Sequence, residues 1–244
     1  NMDINNVSFS NLRKFDGKKS RKLTLSEISQ IAGRAGRHIN DGTFGITGEC
    51  KQLTSEEIEK LERHELNKIN VLYWRNSKID FDSLDNLVSS LEKKTNSEFL
   101  RRINDCEDEK VLKFLIKSNK DLKIKDSKDC VKKLWECCQI PDFSKEAYGK
   151  HTDIVKKVFE FLTTKSEKVT NDYMRKQLKY LDRYDGNIDT LTNRISNVRT
   201  WSYVANKKDW VNNYDYWTEQ TKYIEDKLSD KLHEELTKSF IDKR

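Results

Sequence analysis

One proline, Pro141, stands among 244 residues, with only eight glycines beside it. A fold of many short strands needs glycine and proline at its turns, so their scarcity argues against an all-β sandwich. What remains is long uninterrupted stretches in which helices with charged outer faces are favoured. Charged residues make up 36% of the chain and apolar residues 35%, more charged and less apolar than an average domain. The length allows one large domain or two small ones, with enough apolar residues for a buried core. No apolar run approaches the roughly 18 residues that a membrane span requires, so the sequence reads as soluble, with no membrane partner. The net charge of +6 permits an anionic partner without demanding one.

Cysteine and histidine carry little chemistry here. Cys50, Cys106, Cys130, Cys137 and Cys138 are odd in number, and the adjacent pair Cys137–Cys138 cannot form the spaced clamp of a zinc site. Cys130 and Cys137 are seven apart, which on a helix places two small residues in a core. Unpaired cysteines suit a reducing compartment. His38, His64, His151 and His233 have no second ligand at metal or triad spacing, and no metal site is assigned. The start, Asn1-Met2-Asp3, leads straight into alternating residues, with no signal or transit pattern, and reads as part of something longer.

Ile4, Val7, Phe9 and Leu12 are spaced as in a strand. The basic stretch Arg13–Lys22 holds six cations against one carboxylate, with Asp16-Gly17 as a hairpin turn; it reads as a solvated loop or as a contact for nucleic acid or an opposing domain. Thr24 with Glu27 predicts a capping box and a helix start. Asp41–Gly48 is glycine-punctuated and β-rich, a short strand. From Thr54, which forms a second capping box with Glu57, the pattern is helical: 54–66, 82–94, 107–118, 127–138, 144–165, 170–182, 186–206 and 214–241. No linker or repeat intervenes. The boundary is placed near residue 52, between the end of an α/β domain (1–52) and an all-helical region (53–244), so the expected class is mainly α.

The sharpest motif is Gln30-Ile31-Ala32-Gly33-Arg34-Ala35-Gly36-Arg37. At helical spacing Gln30, Arg34 and Arg37 share one face of the helix, and Leu25, Ile28, Ile31 and Ala35 fall on the opposite face, which would pack against a sheet. Guanidinium is always charged and meets phosphate oxygens bidentately, so this row suits a polyphosphate arriving from a neighbouring surface, with Gly33 and Gly36 allowing close approach. Two glycines cost a helix about 1 kcal/mol each, which a merely solvated face would not repay.

This octet resembles motif six of superfamily-two helicases, and Asn1-Met2-Asp3 the tail of motif five. Together with Lys14–Gly17 and Asp41–Gly45 it resembles the DExH-type RNA helicases of the mitochondrial degradosome and their bacterial relatives. Leu134-Trp135-Glu136, Gln139–Phe143, Asp185–Asp189, Arg199–Tyr203, Ile224–Leu228 and Asp242–Arg244 are similar too. The resemblance implies that residues 1–52 end the second RecA-like domain, with Arg37 as arginine finger, Arg34 its companion and Gln30 sensing nucleotide. Ala32 stands where many members carry arginine, although the degradosome branch also has alanine. It further implies ATP and Mg2+ in the full-length protein, single-stranded RNA as partner, a preceding RecA-like domain, an exoribonuclease partner, and a bacterial cytoplasmic or mitochondrial matrix location.

The chain has no G-x-x-x-x-G-K-[ST] loop: after Gly149-Lys150 comes His151 instead of a hydroxyl residue. Asp105-Cys106-Glu107-Asp108 has the wrong order for a magnesium motif. By itself the chain is therefore expected to bind neither cofactor and to hydrolyse no ATP. In 186–206, Ile188, Leu191, Ile195, Val198, Ser202 and Ala205 form a packed seam. Arg199 and Tyr203 flank it on one side and Arg194 and Trp201 on the other, with Lys207, Lys208 and Trp210 following. Cations among aromatics suit a single strand, phosphates neutralised and bases stacked, although Trp201 and Trp210 beside an apolar seam also fit a core. Trp74, Trp135 and Trp217 read as packing residues. The alternatives are a helical scaffold docking a nuclease, and a DNA helicase or translocase.

Overall fold

The computed structural model describes residues 4–16, 19–36, 40–104, 106–118, 124–125, 127–145, 148–164 and 167–241. Asn1–Asp3, Gly17, Arg37, Asp105 and Asp242–Arg244, on which parts of the sequence reading rest, lie outside them. The fold is mainly helical, with short strand pairs only among the described residues. It divides into two compact units, Asn1–Leu72 and Tyr73–Arg244. The division falls about twenty residues after the change in sequence pattern near residue 52, because the first helix of the helical stretch packs within the first unit.

In the first unit β1 (Asn6–Phe9) pairs in parallel with β4 (Thr43–Ile46), Val7 opposite Phe44 and Phe9 opposite Ile46. β2 (Arg13–Phe15) and β3 (Ser20–Lys22) form the expected antiparallel hairpin, with Asp16 N–H donating to the Lys19 carbonyl at 3.1 Å. α1 (Leu25–Ala32) and α2 (Ser55–Glu62) both begin at the anticipated capping boxes, Thr24 with Glu27 and Thr54 with Glu57. Each box satisfies backbone N–H groups that a helix start otherwise leaves bare. Phe9, Leu12, Leu23, Ile28, Cys50 and Leu61 make the small core between these elements.

At the start of the second unit lies a two-stranded ribbon that the sequence does not announce: β5 (Leu72–Trp74), whose first residue is the last of the first unit, pairs with β6 (Leu100–Arg102), and α3 (Leu84–Glu92) lies between them in the chain. Strands of three residues are too short to show an alternation. Six helices follow: α4 (Glu107–Ser118), α5 (Lys128–Cys138), α6 (Tyr148–Thr163), α7 (Asn171–Leu181), α8 (Ile188–Ala205) and α9 (Tyr214–Ile241). A continuous core runs through them, from Leu87 to Leu228. Cys130, Cys137 and Cys138 are buried in it, and burial pushes the thiols of the last two well up. On α9, Trp217, Thr221, Ile224 and Leu228 repeat at helical spacing and are buried. Trp217 Nε1 donates to Asn171 Oδ1 at 2.9 Å, and Val169 N–H to the Trp210 carbonyl at 2.8 Å, tying the start of α7 to α9 and the loop before it.

Candidate functional site

The motif at 30–37 begins on α1 and leaves it. α1 stops at Ala32, and Gly33 caps it, its N–H bonded to the Ser29 carbonyl at 2.8 Å. Arg34 and Ala35 follow in a tightening turn, their N–H groups reaching Ile31 and Ala32 at 3.2 and 2.9 Å. The single helical face expected for Gln30, Arg34 and Arg37 is therefore corrected: Gln30 is the last of these on the helix, Arg34 sits on the turn, and Arg37 lies outside the described residues. On the opposite face Ile28 and Ala35 are buried and Leu25 packs on the same core as expected, and only Ile31, 40% exposed, departs from it. Gly33 thus stands at the helix end with φ −66°, a conformation open to any residue, and not in the helix interior, where glycine is costly.

Gly36 has φ +64°, a left-handed conformation that favours glycine. A Cβ added there would lie 2.4 Å from the Gly42 nitrogen, and one added at Gly42 would lie 2.2 Å from the Ala35 carbonyl carbon. The close approach that Gly36 permits is thus to the chain's own backbone at Gly42. Gly36 N–H donates to the Ile4 carbonyl (2.8 Å) and Thr43 N–H to the Asn5 carbonyl (2.9 Å), so the turn is fastened to the parallel strand pair. Gly42, whose role the sequence did not single out, is the other half of this crossing.

Around this turn the basic hairpin is largely engaged. Arg21 meets Glu27 with two hydrogen bonds of 2.8 Å, Lys14 reaches the same carboxylate at 2.6 Å, and Lys22 pairs with Glu57 at 2.6 Å. Hydrogen bonds from Arg21, Lys14 and the Thr24 backbone hold the Glu27 carboxyl far below its usual range. Both capping-box glutamates therefore also anchor hairpin cations, which joins the hairpin to α1 and α2. Gln30 and Arg34 differ: they are exposed, and their side chains have no hydrogen bond or ion pair among the described residues.

The α8 candidates are mostly occupied. Trp201 is 2% exposed and packs edge-on against Tyr173 at 5.7 Å, so it is a core residue and offers no face to a base. Arg194 donates to the Arg183 and Asp185 carbonyls, fastening the turn before its own helix. Arg199 pairs with Glu225 on α9 at 2.8 Å. Half-buried Tyr203 has Lys207 Nζ 5.0 Å from its ring centre, and Lys207 is also 5.8 Å from the ring of buried Trp210. Lys208 is exposed. The seam itself packs as expected, with Leu191, Ile195, Val198 and Ala205 buried. Among the described residues no three His, Cys, Asp or Glu side chains cluster as metal ligands, and no helix is long and apolar enough to cross a membrane.

Sequence comparison finds relatives for part of the chain. It is 60% identical over 61 residues to the mitochondrial DExH-box ATP-dependent RNA helicase DExH16 of Arabidopsis thaliana, covering 25% of this chain and 10% of that protein. Over 61 residues it is 46% identical to the mitochondrial ATP-dependent RNA helicase SUV3 of Oryza sativa subsp. japonica, with the same coverage. The SUV3 helicase of Candida albicans is 51% identical over 37 residues, 15% of this chain and 5% of that one. The matched segment thus spans about a tenth of the length of the first two relatives. No family model and no solved structure matches the chain. A quarter of the chain is accordingly similar to mitochondrial DExH RNA helicases, which supports a relationship to the superfamily-two RNA helicases.

Proposed function

We propose that this chain is the C-terminal part of an ATP-dependent RNA helicase, in which the turn after α1 completes a nucleotide site formed with a preceding RecA-like domain. One observation carries the reading. In a unit where Lys14, Arg21 and Lys22 are bound to carboxylates, Gln30 near the end of α1 and Arg34 on the turn fixed by the Gly36–Gly42 crossing stand exposed, with no side-chain hydrogen bond or ion pair among the described residues. The similarity of a quarter of the chain to ATP-dependent RNA helicases supports reading a polyphosphate as the group this turn meets. Residues 1–52 close the second RecA-like domain, and 53–244 form a helical accessory region. Arg34 and Arg37 present guanidinium forks to phosphate oxygens, where fixed positive charge stabilises the charge spread over a transferring phosphoryl group. ATP and Mg2+ belong to the full-length protein; this chain by itself holds neither and is inactive. Single-stranded RNA is the substrate. The mitochondrial names of the relatives favour the mitochondrial matrix over a bacterial cytoplasm.

The test is Arg37→Ala in the full-length protein. An arginine finger contributes about 10³-fold or more to turnover, so ATPase activity should fall by that order while RNA affinity holds; unimpaired turnover rejects the assignment. A second reading, a helical scaffold that docks an exoribonuclease, is favoured by the distal end of α9, where Leu236, Phe240 and Ile241 are exposed. Capture of the nuclease that resists both salt and RNA digestion would support it, because phosphate-mediated association weakens steeply with salt.

A further inference from the structure

The β5–β6 ribbon has a largely covered face, on which only Leu72 at the start of β5 is exposed, and a bare one. Trp74, Leu100 and Arg102 are partly buried, and Arg102 is held by Glu109 at 2.5 Å, by the Leu91 carbonyl at 3.0 Å and by Asn104 at 2.8 Å. Arg75 reinforces the same side, reaching Asp108 at 2.8 Å and lying 5.3 Å from the centre of the Trp135 ring. This network fixes the ribbon on α3, α4 and α5. On the other side Tyr73 is 73% exposed and Phe99, in the turn leading into β6, is 71% exposed. Arg101 is exposed with no hydrogen bond or ion pair among the described residues, and Ile103 is partly bare. Two large rings left in water on a rigid ribbon cost solubility and contribute nothing to the core, so a ligand is the economical account of them.

Charge says which ligand. Beside the bare face opens a groove of about 430 Å³ whose polar lining is Glu92, Lys94, Thr95, Arg101, Arg102 and Asn104, with Leu100 of the ribbon also lining it. Lys93 and Lys94 follow the end of α3, and neither has a partner among the described residues. Against these cations stand Glu92, already held by Lys113, and Glu98. Exposed rings next to uncommitted cations match an alternation of bases and phosphates, whereas a purely apolar partner would leave Lys94 and Arg101 without a counterpart.

We propose that the outer face of the β5–β6 ribbon binds single-stranded nucleic acid, Tyr73 and Phe99 stacking on bases and Arg101 with Lys94 taking backbone phosphates. It places strand contact on the ribbon, where Arg101 and Lys94 have no partner among the described residues, instead of on α8, where Arg194 and Arg199 are engaged and Trp201 is buried. It rests on the helicase reading only for RNA as the physiological strand.

The experiment is fluorescence anisotropy of the 244-residue chain with a short labelled single-stranded RNA, a DNA of matched sequence and an RNA bearing abasic sites, across a salt series. Tyr73→Ala with Phe99→Ala should weaken RNA binding by tenfold or more, since one stacked base contributes about 5- to 150-fold. Tyr73→Phe should restore much of it, and the abasic strand should not distinguish the variants. Arg101→Gln with Lys94→Gln should lower the slope of log K against log salt by about 1.4, at roughly 0.7 per phosphate on a single strand. Circular dichroism checks that each variant is folded, as expected for exposed positions. Wild-type chain that binds no strand at low salt, or RNA affinity unmoved in the Tyr73/Phe99 variant, overturns the proposal. So does an unmoved RNA affinity accompanied by loss of self-association in sedimentation, which would make the face a protein contact. The helicase reading is decided separately, by the turnover of Arg37→Ala, so either can fail without the other.

Discussion

In the first unit the buried side chains Phe9, Leu12, Leu23, Ile28, Cys50 and Leu61 serve two strand pairs and two short helices. In the second, one apolar core passes through every helix from α3 to α9. The first unit compensates with charge: Glu27 joins Lys14, Arg21 and the Thr24 cap, and Glu57 joins Lys22 and the Thr54 cap. Two-stranded sheets are marginal alone, and a small core leaves little margin for lost polar contacts. The comparison teaches how to read a basic surface. In both units most cations near a suspected site hold the fold together, and the informative ones are those without a partner among the described residues: Arg34 in the first, Arg101 and Lys94 in the second.

The largest effect expected of a single substitution lies in the second unit. Trp201→Ala empties a site in the core between α7 and α8, and large-to-small changes of this kind cost about 3–5 kcal/mol. Urea unfolding followed by circular dichroism should show the helical transition shifted by that amount. A loss under about 1 kcal/mol would mean that this part of the core is loosely packed and would make Trp201 available to a ligand again.

In the first unit the decisive position is a glycine. Gly42→Ala drives a methyl group into the Ala35 backbone, where no side-chain rotation relieves it, and overpacking of this kind costs about 1–3 kcal/mol. Because the damage falls on the turn that carries Arg34, ATPase activity of the full-length protein should drop although every arginine is intact. Activity retained in full would separate the crossing from the site and weaken the proposed role of the turn.

How much of this could be read in advance follows from what each signal needs. The helices were legible because capping boxes at Thr24 and Thr54 and long 3.6-residue periods are local. The seam of α8 was legible for the same reason, and the residues beside it were not, since a tryptophan or arginine one position off a seam can face core, carboxylate or water. Trp201 found Tyr173, and Arg199 found Glu225, 26 residues away. The helix end within 30–37 was hidden because glycine spacing alone does not say whether a helix continues or stops. β5 and β6 left no period at all. Their bare rings become visible only once Arg102 and Arg75 are seen to be fastened on the far side.

The polar character of the first unit gives a pH test. Glu27 and Glu57 both titrate below their ordinary value of 4.5, chiefly through hydrogen bonds from Arg21 and from Lys22 respectively. A carboxyl whose folded pKa is depressed contributes stability that is fully present above the unfolded value and is lost as pH falls through the folded one. Thermal melts of the first unit should therefore weaken progressively below about pH 4.5, with the melt of Glu27→Gln already lowered near neutrality and flatter in acid. Thr24→Ala should cost about 1 kcal/mol through the same cap. Equal acid sensitivity in both units would dissolve the contrast between a charge-held and a core-held unit.

The smallest expected effect sharpens the contrast most. Arg199 is 51% exposed and its pair with Glu225 joins α8 to α9 across their outer surface. Exposed pairs contribute about 0–1 kcal/mol because solvent screens them and two long side chains must be held still. Arg199→Ala should therefore leave the unfolding midpoint nearly unchanged, and Glu225→Ala likewise. RNA affinity discriminates further. If Arg199 serves only Glu225, both substitutions leave affinity within about twofold, as the engaged geometry implies. Should Arg199→Ala weaken binding while Glu225→Ala strengthens it, the carboxylate is a competitor that holds the guanidinium in reserve, and α8 rejoins the ribbon as part of the strand path.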